Sequence, residues 1–441
     1  MIGRVASELS GGRANRMRGD DRREQLLEIA RAVFVESGRA GARTRQITDA
    51  AGMAESSLYT YFRSKEELFE EAVIEPLDQL VGGLGERVHL DMRELHAEVF
   101  DVLDRTVPLL GAVVYGEGRD GLRFYRARLA PVFDRLRGTL EQVMAGWGSA
   151  SFDRDFLTVA LVGSYAWISF DERAAGRTAD PDRFVDTVSG FFVRALAALG
   201  PQPVSDVLRA PARRRRRRRA PLRFVRGERV IELDRDRRGI PILPPGRKRL
   251  PPELRRAQLV AVARHLFSER GLAGTRTAEI TQLAGVNESI LFQHFRSKEE
   301  IFEAAILEPL EELVSELVEG GEGYASAPAG QRLDQPRLIH VHLVEAMEEI
   351  VPLLGVALFS PNARAFYQTG FRPVMDRLEL AIGGWLEGWD HPPADARIMT
   401  TMLLGTHAWL ALDNRARGRS PDAERLGAEI SDFFYRGVAG W

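Results

Sequence analysis

Two tetrapeptides carry the clearest chemistry in the chain. Ser64-Lys65-Glu66-Glu67 and Ser297-Lys298-Glu299-Glu300 each place serine three positions ahead of glutamate, the pattern in which both side chains satisfy free backbone N–H groups where a helix begins. A lysine in that first turn, beside N–H groups still unpaired, makes an anion site of the kind that holds a phosphate. A capping box by itself is common and says little. What sharpens it is the short stretch just upstream, which is apolar on one side only. With Leu58 taken as inward and about 100° of turn per residue, Phe62 also points inward while Ser56, Ser57, Tyr59 and Thr60 point out. In the second stretch the outward set is Ser289, Ile290, Phe292 and Gln293. Side chains of these types hydrogen-bond phosphate oxygens and base edges, and the apolar ones suit a thymine methyl group.

The elements needed to hold such a surface are legible on either side. Leu26, Ala30, Val33 and Phe34 fall on one helical face, with Gly38 where that helix would end, and Leu259, Ala263, Leu266, Phe267 and Gly271 repeat the arrangement. A short second helix is expected with Thr44 or Thr277 as its N-cap and Ile47 or Ile280 buried. Gly52 or Gly285 then supplies a tight turn, and the outward-facing stretch forms a third helix over about 54–62 and 287–295.

These features occur twice because the chain is duplicated. Residues 22–81 and 255–314 align without a gap, with 34 of 60 positions identical. The similarity continues at a slightly changed offset: Val107-Pro108-Leu109-Leu110-Gly111 returns as Val351-Pro352-Leu353-Leu354-Gly355, and Gly163, Ala166, Trp167, Asp171 and Arg173 return as Gly405, Ala408, Trp409, Asp413 and Arg415. The repeated unit is thus roughly 180–200 residues, large enough for a reading head and a helical body.

Composition, 44% hydrophobic and 28% charged, predicts a soluble globular protein. No apolar run approaches the roughly 18–20 residues of a membrane span. The segment before Asp20 lacks the apolar stretch of a signal peptide, and with no cysteine there is neither a disulfide framework nor a thiolate metal site. A cytoplasmic protein without membrane partner, metal or cofactor is expected. The net charge of −2 hides a strong asymmetry, since residues 205–256 hold 19 Arg and Lys against 6 Asp and Glu. Seven consecutive arginines, Arg213, Arg214, Arg215, Arg216, Arg217, Arg218 and Arg219, precede the Pro-rich Ile240-Pro241-Ile242-Leu243-Pro244-Pro245. This segment reads as a linker. It is either a solvated tether or a phosphate-binding arm that gains affinity by releasing counterions. As a coil, 52 such residues span roughly 40 Å and stretch to ~170 Å, enough to let the two units pair within one chain.

Enzymatic readings fare poorly. Gly116-Glu117-Gly118-Arg119-Asp120-Gly121 fits a dinucleotide-binding pattern but follows no strand pattern and has no counterpart in the second copy; His340 and His342 diverge on a helix, with no third ligand evident.

The order Thr44, Ile47, Ala51-Gly52, Leu58-Tyr59, Tyr61-Phe62, Ser64-Lys65-Glu66, Leu68-Phe69, matched by Thr277, Ile280, Ala284-Gly285, Leu291-Phe292, His294-Phe295, Ser297-Lys298-Glu299, Ile301-Phe302, resembles the DNA-binding domain of TetR-type transcriptional regulators. The resemblance is strong over both heads and only architectural over the bodies. It implies an all-α protein of two tandem units: a disordered tail (1–20), heads at 21–69 and 253–302, helical regulatory bodies at 70–200 and 303–441, and the linker at 201–252. It implies that Thr44, Arg45, Tyr59, Tyr61 and Lys65, with Thr277, His294 and Lys298, touch phosphate or sugar of double-stranded DNA. Ser56, Ser57 and Thr60, with Ser289, Ile290, Phe292 and Gln293, would face bases.

The second head departs where Tyr59 becomes Phe292. Either a duplicate has decayed or its specificity has changed, and the intact turn, cap and Lys298 favour the second. In the bodies, Gly163, Trp167 and Phe191 with Gly405, Trp409 and Phe433 are either ordinary packing or an internal four-helix interface, toward which the resemblance tips the reading. Phe124, Tyr125, Trp147 and Tyr165, with Phe366, Tyr367, Trp389 and His407, are either plain core or the lining of a pocket for a small hydrophobic or aromatic effector. The expected protein is a repressor-type regulator that grips an operator as a single-chain pseudo-dimer, with further self-association open. The alternative is an effector-sensing or protein-interaction module whose second head is vestigial and which binds DNA only as a dimer of chains.

Overall fold

The computed structural model describes residues 19–86, 91–116, 119–145, 153–177, 180–197, 222–226, 229–233, 250–326, 334–359, 362–387 and 394–439. The described residues of both units form helices joined by turns. The first begins with α1 (Gly19–Gly41), whose Leu26, Ala30, Val33 and Phe34 are buried as their spacing predicts. It continues with α2 (Thr44–Ala50) and α3 (Glu55–Leu58), then α4 (Lys65–Glu86) and α5 (Met92–Gly116). A continuous run of α6 (Arg119–Phe124), one π-helical turn (Tyr125–Leu129) and α7 (Ala130–Ala145) leads to α8 (Arg154–Ala174) and α9 (Pro181–Ala197).

The second unit repeats this order as α10 (Pro252–Gly274), α11 (Thr277–Ala284), α12 (Glu288–His294), α13 (Lys298–Ser326) and α14 (Asp334–Leu358). Next come α15 (Ala363–Phe366), a second π-helical turn (Tyr367–Phe371) and α16 (Arg372–Glu387), and finally α17 (Ala396–Arg417) and α18 (Ala423–Ala439). Gly271 interrupts α10 with φ of 72°, a left-handed conformation open to glycine at no steric cost.

Four local expectations need correction. The first helix does not end at Gly38 but runs on to Gly41. The N-caps of α2 and α11 are Arg43 and Arg276, one residue before the threonines; their backbone N–H groups donate to Gln46 Oε1 (2.8 Å) and Glu279 Oε2 (3.0 Å), side chains long enough to reach back from the third helical position. The third helix of the first head stops at Leu58 and does not run to Phe62. Its counterpart starts at the matching glutamate, with Asn287 Oδ1 accepting from the Ile290 N–H at 3.2 Å, but runs three residues further at its C-terminal end; in the first head the chain there passes into turns, where the Thr60 hydroxyl donates to the Ser57 carbonyl at 2.7 Å. Within the linker, β1 (Leu222–Arg226) and β2 (Arg229–Leu233) pair antiparallel, Phe224 opposite Ile231 and Val225 opposite Val230. β-branched and aromatic residues on both arms prefer this pleated pairing to coil. The arginine run and the Pro-rich segment lie outside the described residues.

The two units pack on each other, principally through α8 against α17 and α9 against α18. At the crossing, a Cβ on Gly163 would strike the Gly405 carbonyl, and one on Gly405 would strike that of Gly163, so the two backbones touch. Phe191 and Phe433 meet edge to face with centroids 5.3 Å apart. Tyr115 and Phe359, which occupy matching positions, stack at 5.7 Å and 8°, and each ring fills the space left by the glycine of the opposite unit, Gly355 or Gly111. Every one of these contacts recurs with the units exchanged, which is the pattern of a two-fold interface. It is built inside one chain.

Candidate nucleic-acid interface

Each head is a trihelical core from which one polar face projects. Leu58 and Phe62, or Leu291 and Phe295, are buried with Ile47 or Ile280. An arginine of the first helix lies over the last aromatic, Arg23 on Phe62 at 4.8 Å and Arg256 on Phe295 at 4.3 Å. This leaves Ser56, Tyr59 and Thr60 exposed on one head, and Ser289, Phe292 and Gln293 on the other, with Ser57, Tyr61, Ile290 and His294 half-buried. Tyr59 is 52% and Phe292 51% exposed, so both copies hold an aromatic ring in solvent at the same place.

Thr44 and Thr277 donate to the first glutamate of the third helix, Glu55 in one head and Glu288 (2.8 Å) in the other, and so orient that helix. Lys65 and Lys298 are not free cations. Lys65 Nζ donates to the Ala42 carbonyl at 3.1 Å, and Lys298 Nζ to those of Leu272 (2.9 Å) and Thr275 (3.3 Å). An ammonium has three N–H donors, so at least one remains for an anion. His294 is kept below the usual histidine range by burial and by Arg256 and Arg255 nearby.

Residue-by-residue reading missed four cations of this surface. Arg43 and Arg63, with Arg276 and Arg296, flank the second and third helices, are exposed, and are the same in both copies. Their retention amid 26 changed positions was the available signal. Arg45 is also exposed, 3.7 Å from Asp49.

The proposed pocket residues divide. Trp147 and Trp389 lie outside the described residues. Phe124 and Phe366 are buried core. Tyr125 and Tyr367 are buried, and each sits in a π-helical turn with its hydroxyl donating across the interface, Tyr125 to Asp413 Oδ1 at 2.8 Å and Tyr367 to Asp171. Tyr165 and His407 do sit at the heart of the bodies. His96 Nδ1 lies 2.7 Å from the Tyr165 hydroxyl, whereas in the second body His407 donates from Nδ1 to the Leu403 carbonyl (2.7 Å), so its Nε2 accepts from His340 Nδ1 at 3.3 Å. An apolar cavity of about 50 Å³ between the units, lined by residues of both including Trp167 and Trp409, is smaller than the ~150 Å³ that admits a benzene ring.

Burial pushes His96 down to about 3 and His407 to about 4, and His340, beside His407, well below its usual value. These imidazoles stay neutral in the folded chain while the unfolded chain protonates near 6.5, so the stability they contribute is full above that pH and is lost as pH falls toward about 4. Burial holds Glu348 and Glu429 up at about 7, and both act in the opposite sense over the same range. The separation is made by His407→Tyr, which copies the His96–Tyr165 pair. It should lose about 2 kcal/mol less than the parent between about pH 7.5 and about pH 5; parallel melting profiles of the two proteins would count against the assignment.

Comparison with known proteins agrees with the head geometry. The family model "Bacterial regulatory proteins, tetR family" matches residues 26–72 and again 259–305. The chain is 41% identical over 61 residues to the HTH-type transcriptional repressor KstR2 of Mycolicibacterium smegmatis, covering 14% of this chain and 30% of that protein. It is 42% identical over 72 residues to the transcriptional activator FasR of the same organism, covering 16% and 33%. The match thus spans about a third of the length of these relatives. Among solved structures, KstR2 of Mycobacterium tuberculosis aligns at 21% identity and a TM-score of 0.30, over 42% of this chain and 94% of that one. Among the described residues no helix is long and apolar enough to cross a membrane.

Proposed function

We propose, from the premise that this chain is a tandem member of the tetR family of bacterial regulatory proteins, that one molecule grips an operator with both heads as a pseudo-dimer. The observation that carries this reading is the reciprocal contact of the two bodies, glycine on glycine and Tyr115 on Phe359. An interface of that symmetry gives one chain the two heads that a two-fold reader requires. The exposed faces at Tyr59 and Phe292 then meet successive major grooves. Lys65, Lys298, Tyr61, Thr44 and Thr277 lie toward the backbone, and the arginines of the linker act as a phosphate arm. The protein would act as a repressor, released by a small hydrophobic or aromatic effector entering a body. Two contacts support transmission to the second head: Arg415 donates to the Ser268 carbonyl at 3.0 Å, and Arg264 pairs with Glu349 at 3.3 Å.

Since the heads differ at their outward positions, their half-sites should differ too. Gln293 suits adenine and Ile290 and Phe292 suit thymine methyl groups, whereas Ser56, Tyr59 and Thr60 present hydroxyls. Binding selection on the full-length protein should return a site with two unlike halves. A perfect palindrome contacted equally on both sides is the result that the proposal does not survive.

A further inference from the structure

The interface between the units is reciprocal in its middle and in the tyrosine bonds to Asp171 and Asp413, but the ion pairs at its two ends are not. At one end the close of α8 presents Asp171 and Glu172, whose side chains are 3% and 5% exposed. The start of α17 brings Arg397 against them: its Nη2 donates to Asp171 Oδ2 at 2.9 Å and also pairs with Glu172. Arg177 donates to the same two carboxylates at 2.8 and 3.2 Å, and Arg372 Nη1 stands 3.6 Å from Asp171. At the other end, the close of α17 presents Asp413 beside Arg417 (2.7 Å), and the start of α8 brings Asp155, which lies 3.4 Å from Arg419 and pairs with Arg137. The matching positions therefore carry exchanged charge. Arg397 replaces Asp155, Arg372 replaces Ala130, neutral Asn414 replaces Glu172, and Arg417 replaces Ala175.

We infer that these exchanged charges are a key, which admits the first unit only against the second and rejects the pairing of like units from two chains. Two first units would set Asp155 of each against Asp171 and Glu172 of the other, and of the arginines now on those buried carboxylates only Arg177 of the same unit would remain, since those at 397 and 372 would be missing. Two second units would set Arg397 against a face already holding Arg417 and Arg419, with one carboxylate where the observed partner offers two. Two buried carboxylates left to share one arginine and faced by a third carboxylate are destabilising, and like charges across an interface exclude the wrong mate. An ordinary two-chain member of the family needs a self-complementary face; this face complements only its sibling. The inference rests on the reading that the two units pair, but an exchange of units between two chains would satisfy the same key.

The test uses full-length protein throughout. Arg397→Glu and Glu172→Arg should each lower the melting temperature by several degrees, and the double variant, which restores opposite charges, should recover most of the loss. Asp155→Arg removes the pairing with Arg419 and gives the first unit what it needs to meet its own kind. Differently tagged chains of that variant should co-purify through first units, and parent chains should not. A double variant no more stable than the worse single, or parent chains crosslinked through like units, would overturn the key. Parent chains found as a two-chain particle with first units crosslinked to second units would uphold the key and instead refute closure within one chain.

Discussion

Leucine in place of Gly163 should separate the two units. The α8–α17 crossing leaves no room for a Cβ, because the atom that it meets is the Gly405 carbonyl oxygen and not the movable end of a side chain. The expected loss of stability is at or beyond the upper end of the ~1–3 kcal/mol usual for an overpacked core. Gly405→Leu should behave alike, as the contact is reciprocal. Gly384 of α16 has nothing within 4 Å of its missing Cβ, so Gly384→Ala serves as control and should be neutral or stabilising by up to ~1 kcal/mol. The same Gly163 variant should bind its operator weakly, because separated heads forfeit the effective concentration that tethering supplies, a factor on the order of 10²–10⁴. Melting curves and a binding titration read both effects, and a Gly163→Leu protein that melts and binds like its parent would mean the units do not need this contact.

The second large effect is expected from disabling one head at a time. Ser56 and Thr60 are exposed, so changing both to glutamate leaves the fold intact while setting two negative charges against DNA phosphates. Affinity for the full operator should fall by roughly 10²–10⁴-fold, and the remaining protection should shrink to the half-site read by the second head. Ser289→Glu with Gln293→Glu should do the converse. If only the first pair of substitutions matters, the second head contributes nothing and the chain binds DNA in some other assembly.

Much of this architecture was legible in the sequence because the chain is its own comparison. Thr44, Gly52, Ser64 and Lys65 stand out as a reading head only when seen beside Thr277, Gly285, Ser297 and Lys298. Apolar periodicity located the helices but not their ends. The third helices begin at matching glutamates, yet the second runs three residues further, through positions where Thr60 and Tyr61 become Gln293 and His294, a local change that periodicity does not register. The tyrosines at 125 and 367 look like core at helical spacing. Only the π-helical turn, which shifts the side-chain phase by inserting a wider hydrogen-bonded ring, turns their hydroxyls toward Asp413 and Asp171. Lys65 and Lys298 show that residue type does not reveal prior engagement, since backbone carbonyls distant in sequence already occupy part of each ammonium. Likewise the arginine run draws attention away from the alternating apolar residues of 222–233, which pair as a hairpin.

The most direct measurement is the mass of the protein–operator complex, taken by light scattering or native mass spectrometry alongside a footprint on the same duplex. A fused pair of heads predicts one chain per duplex with two unlike half-sites protected; two chains per duplex, each holding DNA through its first head alone, would contradict it.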